Sequence, residues 1–138
     1  MSEGLRILLI EDNPGDADLI KETLEETGLR PAISVAVDGV QAMYRLFRTT
    51  AATLPDLIVL DLNLPRMDGR QVLTEIKRHE KLRRIPIVVL TSSDAEQDVL
   101  RCYDLNASCY VTKPVGLGAF QTVVRSIASF WLDLAKLP

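Results

Sequence analysis

Short apolar bursts alternate with longer segments of helical period along most of the chain. Bursts of strand length fall at 6–10, 32–37, 57–60, 85–90 and 109–112, which predicts five strands. Three stretches, 7–10, 57–60 and 87–90, are unbroken runs of leucine and β-branched residues, as in parallel strands covered on both faces. The second strand alternates more and is expected at an edge. Between the strands lie helix-length segments. In the first, 16–27, Ala17, Ile20 and Leu24 share a face, Asn13 is placed to cap it, Pro14 suits its first turn and Gly28 its end. Val40, Met43 and Phe47 mark a second helix, Val72, Leu73 and Ile76 a third, and Val99, Cys102 and Tyr103 a fourth. Leu117, Phe120, Val124, Ile127, Trp131 and Leu134 mark a fifth.

Regular strand–helix alternation with short connections implies an α/β fold with a parallel sheet and right-handed crossovers. Five such units suit a flavodoxin-like, doubly wound sheet of order 2-1-3-4-5, with strands one and three as central neighbours. No repeat, low-complexity tract or linker interrupts the plan. Residues 1–138 read as one domain, with 129–138 extending the last helix.

Charge and cysteine content remove several function classes. Sixteen basic against nineteen acidic side chains leave a net charge of −3, with no broad basic surface for a nucleic acid. Cys102 and Cys109 lack metal-type or CxxC spacing and read as small core hydrophobes. Met1-Ser2-Glu3-Gly4 does not open a basic-then-apolar leader, and no apolar run approaches the roughly 18 residues of a membrane span. The expectation is a cytoplasmic protein that does not enter a membrane.

Ligands of open parallel sheets bind beyond the carboxyl ends of the strands, at the point where the winding reverses. Strand one runs into Glu11-Asp12 and strand three into Asp61, so three carboxylates are expected to converge. Two like charges about 4 Å apart repel by about 4 kcal/mol at an effective dielectric near 20, and a third adds to this. A divalent cation offsets it. Oxygen-only ligands suit Mg²⁺ (or Mn²⁺), and the backbone carbonyl of Asn63 is placed to join them. Strand four ends at Thr91 and strand five leads to Lys113, which brings a hydroxyl and an ammonium to the same edge. A carboxylate nucleophile, a metal, a lysine and a hydroxyl are the parts phosphoryl transfer requires.

Taken together, Ile10-Glu11-Asp12-Asn13, the run from Asp61 through Asn63, Met67 and Asp68 to Gly69, Thr91-Ser92 and the run from Tyr110 to Lys113-Pro114 resemble the receiver domain of two-component response regulators over 6–129. The resemblance implies that Asp12 and Asp61 hold Mg²⁺ directly and Glu11 largely through water, and that Asp61 is the phosphoacceptor. It also implies that Lys113 contacts the phosphoryl group, that Thr91 turns toward it and Tyr110 changes rotamer with Thr91, and that the Lys113–Pro114 bond is cis. Ser92 departs from the pattern, which usually has a small apolar residue there. The segments 11–20 and 129–138 are similar to small single-domain regulators associated with phytochrome-type sensor kinases. Such a protein catalyses only its own phosphorylation and dephosphorylation.

No effector domain follows the fifth helix, so the output is expected to be binding. Val123, Phe130, Leu132 and Leu137 lie outside the inner stripe of that helix. This suggests a homodimer through helix four, strand five and helix five, extended by Phe130 and Trp131. Two other readings compete. A pseudo-receiver keeps the fold without phosphorylation, but it is favoured by loss of Asp12, Asp61 or Lys113, all present here. A haloacid-dehalogenase-type phosphohydrolase needs an Asp-x-Asp motif after strand one, whereas Asn63 stands two past Asp61 and the nucleophile follows strand three. A flavodoxin-like cofactor carrier suits the acidic first loop poorly. His79 reads as a surface residue. Asn63 and Ser93 flank the route of an attacking water.

Overall fold

The computed structural model describes residues 5–28 and 30–134. Five strands, β1 (Arg6–Ile10), β2 (Ala32–Ala36), β3 (Leu57–Leu60), β4 (Ile87–Thr91) and β5 (Cys109–Thr112), form one sheet of order β2-β1-β3-β4-β5. Every pairing is parallel. The helices are α1 (Pro14–Glu25), α2 (Gly39–Phe47), α3 (Gly69–Arg78), α4 (Glu96–Asp104) and α5 (Leu117–Ala128), after which the chain widens into a π-helical turn over Ser129–Leu134. This is the flavodoxin-like plan that the alternation of apolar bursts predicts.

The unbroken apolar strands supply both faces of the sheet in strict alternation. Leu8, Ile10, Ile58, Leu60, Ile87 and Val89 point to one core, with Met43 and Leu46 of α2 and Val72, Leu73 and Ile76 of α3. Ile7, Leu9, Leu57, Val59, Val88 and Leu90 point to the other, with Ile20 and Leu24 of α1 and Phe120, Val124 and Ile127 of α5. Each fully buried aliphatic side chain contributes roughly 1.5–3 kcal/mol. Both cores close on the central strands, so β1 and β3 are buried on both faces over residues 7–10 and 57–60. The edge strand β2 has the partly exposed pattern its alternation implies.

Local signals place most helix ends. Asn13 accepts from the Asp16 N–H and Pro14 opens α1, while Gly28, at φ 77°, turns the chain out after its last turn. The second helix stands where Val40, Met43 and Phe47 mark it, but its buried face is set largely by other residues. Ala42, Met43 and Leu46 are buried, whereas Val40 is 41% and Phe47 58% exposed. The small Ala42 side chain lets the helix lie close on the sheet, and the Phe47 ring packs beside His79 instead, with centroids 5.6 Å apart. On α4 only Cys102 is buried; Tyr103 stays exposed. On α5 Leu117 is exposed, while Val123, and Trp131 and Leu132 of the π-helical turn beyond it, pack partly against the second core. Leu137 and the side chain of Leu134 lie outside the described residues.

Candidate functional site

Parallel register brings the chemistry to one edge. Ile10 aligns with Leu60, Leu60 with Val89, and Val89 with Tyr110, so Glu11 and Asp61 step off adjacent strands side by side. The Asp61 N–H donates to the Ile10 carbonyl at 3.0 Å, and the Lys113 N–H to the Thr91 carbonyl at 2.7 Å, which extends the ladder into the site. Gly69 makes the exit of β3 possible. A Cβ there would collide with the carbonyl oxygen of Asp61 and the Cα of Leu62. Asp68 then caps α3 through the Arg70 N–H.

Glu11, Asp12 and Asp61 each offer a carboxylate oxygen, all within 4.8 Å of one another. Glu11 and Asp61 are only 2% and 5% exposed, and Asp12 faces solvent. The Lys113 ammonium enters from β5 and donates to Glu11 Oε1 at 2.7 Å and to Asp61 Oδ2 at 3.0 Å. A third bond reaches Asp16 Oδ2 at 2.9 Å. The other oxygen of Asp61, Oδ1, accepts from the Thr91 hydroxyl at 2.8 Å and from the Asn63 N–H at 3.0 Å. The Asn13 N–H donates to Glu11 Oε2 at 3.2 Å. Thus both acids are oriented by bonds within the protein.

Charge is unbalanced, with four carboxylates facing one ammonium. Burial pushes the Glu11 carboxyl up to about 7; Lys113 opposes the rise and neighbouring Asp61 adds to it. For Lys113, burial works against the charge, but bonds to Glu11 and Asp16 outweigh it and hold the ammonium above its ordinary range. Hard oxygen donors with excess negative charge fit a divalent cation of the Mg²⁺ or Mn²⁺ kind.

The structure therefore gathers Glu11, Asp12, Asp61, Thr91 and Lys113, with Asn63 at the mouth. Tyr110, on β5, donates its hydroxyl to the Ser93 carbonyl at 2.7 Å in the loop after β4. The expected cis geometry at Lys113–Pro114 is corrected, since no peptide bond among the described residues is cis. Trans lies about 0.5–1 kcal/mol below cis for a proline bond. In trans, Lys113 already meets three carboxylates, so aiming it does not call for the cis isomer. Two features escape the sequence reading. Asp16 sits in the first turn of α1, where an acid is ordinary, and Arg70 joins Asp98 across two helices. Cys102 and Cys109 are free, and burial raises both thiols, Cys102 to about 11, as suits packing residues. His79 caps α3 away from the site.

An acid pair after β1, an aspartate after β3, a hydroxyl after β4 and a lysine after β5 define a receiver. Residues 7–125 match the response regulator receiver domain family, and the chain belongs to it. It is 43% identical to the response regulator Rcp1 of Synechocystis sp. over 96% of this chain and 92% of that protein. The crystal structure of the phosphorylated cyanobacterial phytochrome response regulator RcpA superposes with a TM-score of 0.93 at 43% identity, covering 98% of this chain and 99% of that one. The Mn²⁺-bound form of Rcp1 superposes with a TM-score of 0.91 at 41% identity, covering 97% and 99%. No helix among the described residues is long and apolar enough to cross a membrane.

Proposed function

We propose that this receiver takes a phosphoryl group from the phosphohistidine of a sensor histidine kinase onto Asp61, and that the phosphorylated form acts by binding other proteins. A carboxylate oxygen of Asp61 attacks phosphorus in line, an O–P bond forms and the N–P bond to the histidine breaks. The observation that carries this reading is the placement of Asp61, with Lys113 on one oxygen and the Thr91 hydroxyl on the other. Lys113 is held within reach of charge gathering on the phosphoryl oxygens, and Thr91 is placed to follow the group once attached. Asp12, Asp61 and the Asn63 carbonyl, with Glu11 through water, would hold Mg²⁺ or Mn²⁺, whose positive charge would offset that of the acids and the phosphoryl group. Tyr110, bonded to the Ser93 carbonyl, is the second half of the switch.

Similarity to Rcp1 and RcpA supports a phytochrome-type kinase as the partner. The apolar side chains left open on α4 and at the start of α5, Leu100, Tyr103 and Leu117, support a homodimer through α4, β5 and α5, extended by the Phe130–Trp131 region. The protein on this reading is a cytoplasmic phosphoacceptor, and it catalyses only its own phosphorylation and dephosphorylation. Incubation with acetyl phosphate and Mg²⁺, followed by intact mass, tests it. One phosphoryl group is expected on the wild type and none on Asp61→Asn; a label that survives the substitution would remove Asp61 as acceptor.

A further inference from the structure

Arg70, near the start of α3, closes its guanidinium on both loops that flank the phosphoacceptor. Nε and Nη2 reach the two carboxylate oxygens of Asp98 on α4, each at 2.6 Å. Nη1 lies 2.9 Å from Asp68 Oδ1 and 3.4 Å from the carbonyl of Leu62, the residue after Asp61. A bidentate fork of this kind fixes orientation as well as distance, which a lysine does not do. The pair is shielded, with side chains 24% and 16% exposed.

Little else seats that end of α4. Ala95 gives it no side-chain cap, and between Thr91 and Cys102 no residue is buried. What holds the segment is polar. Asp98 Oδ2 accepts from the Ser93 hydroxyl at 2.6 Å, and the Ser93 carbonyl accepts from Tyr110. The Ser93 N–H leans on Thr91 Oγ1 at 3.4 Å, and that hydroxyl donates to Asp61. A continuous path thus runs from Arg70 through Asp98 and Ser93 to Thr91 and the acceptor carboxylate. The Arg70 guanidinium, then the Ser93 hydroxyl, hold the Asp98 carboxyl down to about 2, so it stays charged as their acceptor.

We propose that Arg70 is a positioning residue for phosphoryl chemistry at Asp61: by clamping Asp98 it fixes Ser93, and through it Thr91 and Tyr110, in the inward arrangement that receives a phosphoryl group. The inference rests on Asp61 as acceptor. An ion pair that served stability alone would change the melting temperature and leave affinity for a phosphoryl group untouched.

Beryllofluoride serves as the phosphoryl probe, with binding to the full chain in Mg²⁺ measured by titration calorimetry beside Mg²⁺ alone and thermal melting. Asp98→Asn, Ser93→Ala and Arg70→Lys are each expected to raise the beryllofluoride Kd roughly 5- to 20-fold, with the Mg²⁺ Kd within about twofold of wild type. The double variant Ser93→Ala/Asp98→Asn is expected to match the weaker single, because the two act through one bond. Variants that melt lower yet bind beryllofluoride as wild type does would overturn the proposal. If Asp98→Asn does not fold, Arg70→Lys decides, since it keeps the charge but not the two-pronged fork, with Ser93→Ala testing the next bond of the path. Wild type that binds no beryllofluoride would instead sink the reading of Asp61.

Discussion

Lys113 and Asp16 are joined by a 2.9 Å bond between Nζ and Oδ2, which brings a carboxylate from the first turn of α1 into a cluster otherwise built from strand ends. Asp16 is not among the three acids whose oxygens crowd together, so it adds charge without adding a metal ligand. Asp16→Asn is therefore expected to raise the Mg²⁺ Kd only about two- to tenfold, an effect of charge acting at a distance. Asp12→Asn, which removes a donor, is expected to cost far more. Titration calorimetry separates the two, and equal losses would place Asp16 in the coordination sphere.

Lys113 is the counter-charge of the metal-free site. Its removal leaves Glu11 and Asp61, both buried, without their cation. Breaking a buried pair from one side costs about 3 kcal/mol or more. Lys113→Met should lower stability in urea by that order when Mg²⁺ is absent. Added Mg²⁺ should then restore more stability to the variant than to the wild type, because it supplies the positive charge the variant lacks. A variant as stable as wild type in chelator would show that the carboxylates are already relieved by protonation or water.

Asp98 gives a pH dependence of definite sign. Its folded carboxyl lies at about 2, held down first by Arg70, then by Ser93. A depressed acid stabilises the fold above its unfolded value near 3.9, and that stability is lost as pH falls through the folded value. The stability gap between wild type and Asp98→Asn should be constant from neutrality to about pH 4 and should close between about pH 4 and 2. Its size should be of the order of 1 kcal/mol after solvent screening. Urea titrations across that range measure it; a gap that widens on acidification would contradict the assignment.

Gly69 tests whether the close passage of α3 past β3 matters to the chemistry. A methyl there meets the Asp61 carbonyl and Leu62, both backbone, so neither can swing aside as a side chain would. Gly69→Ala should cost roughly 1–3 kcal/mol by overpacking. It should also slow labelling by acetyl phosphate, because the displaced atoms carry the acceptor. Normal labelling in a destabilised variant would mean that the loop shifts without moving Asp61.

Glu11 and Asp61 are legible in the sequence because each stands directly after an unbroken apolar run, with Asp12 one residue on, and parallel register brings the ends of β1 and β3 side by side. Thr91 and Lys113 follow by the same logic. Asp16 and the Arg70–Asp98 pair are not legible. The pair joins positions 28 apart on separate helices, α3 and α4, a juxtaposition that only the tertiary fold creates. The buried face of α2 shows a different limit. Val40 and Phe47 outweigh Ala42 in a hydrophobic scan, yet the smaller side chain is the one that lets the helix approach the sheet. The isomer at Lys113–Pro114 is not legible either, because a proline dipeptide allows both forms within about 1 kcal/mol.

Phe130 and Trp131 are neighbours with T-shaped rings 5.2 Å apart, but they do not have the same standing. Trp131 packs partly against the core on the α1 and α5 side, whereas Phe130 is 52% exposed. A polar residue at 131 would damage the fold and the interface together, so the pair changed at once is a poor probe. Phe130→Ser alone removes an exposed aromatic of the sort that anchors interfaces. If the proposed dimer includes this region, light scattering should find the wild type at twice the chain mass and Phe130→Ser shifted toward one, with the melting temperature of the dilute protein little changed. A dimer that persists in Phe130→Ser would confine the contact to α4, β5 and the start of α5, where Leu100, Tyr103 and Leu117 stand exposed.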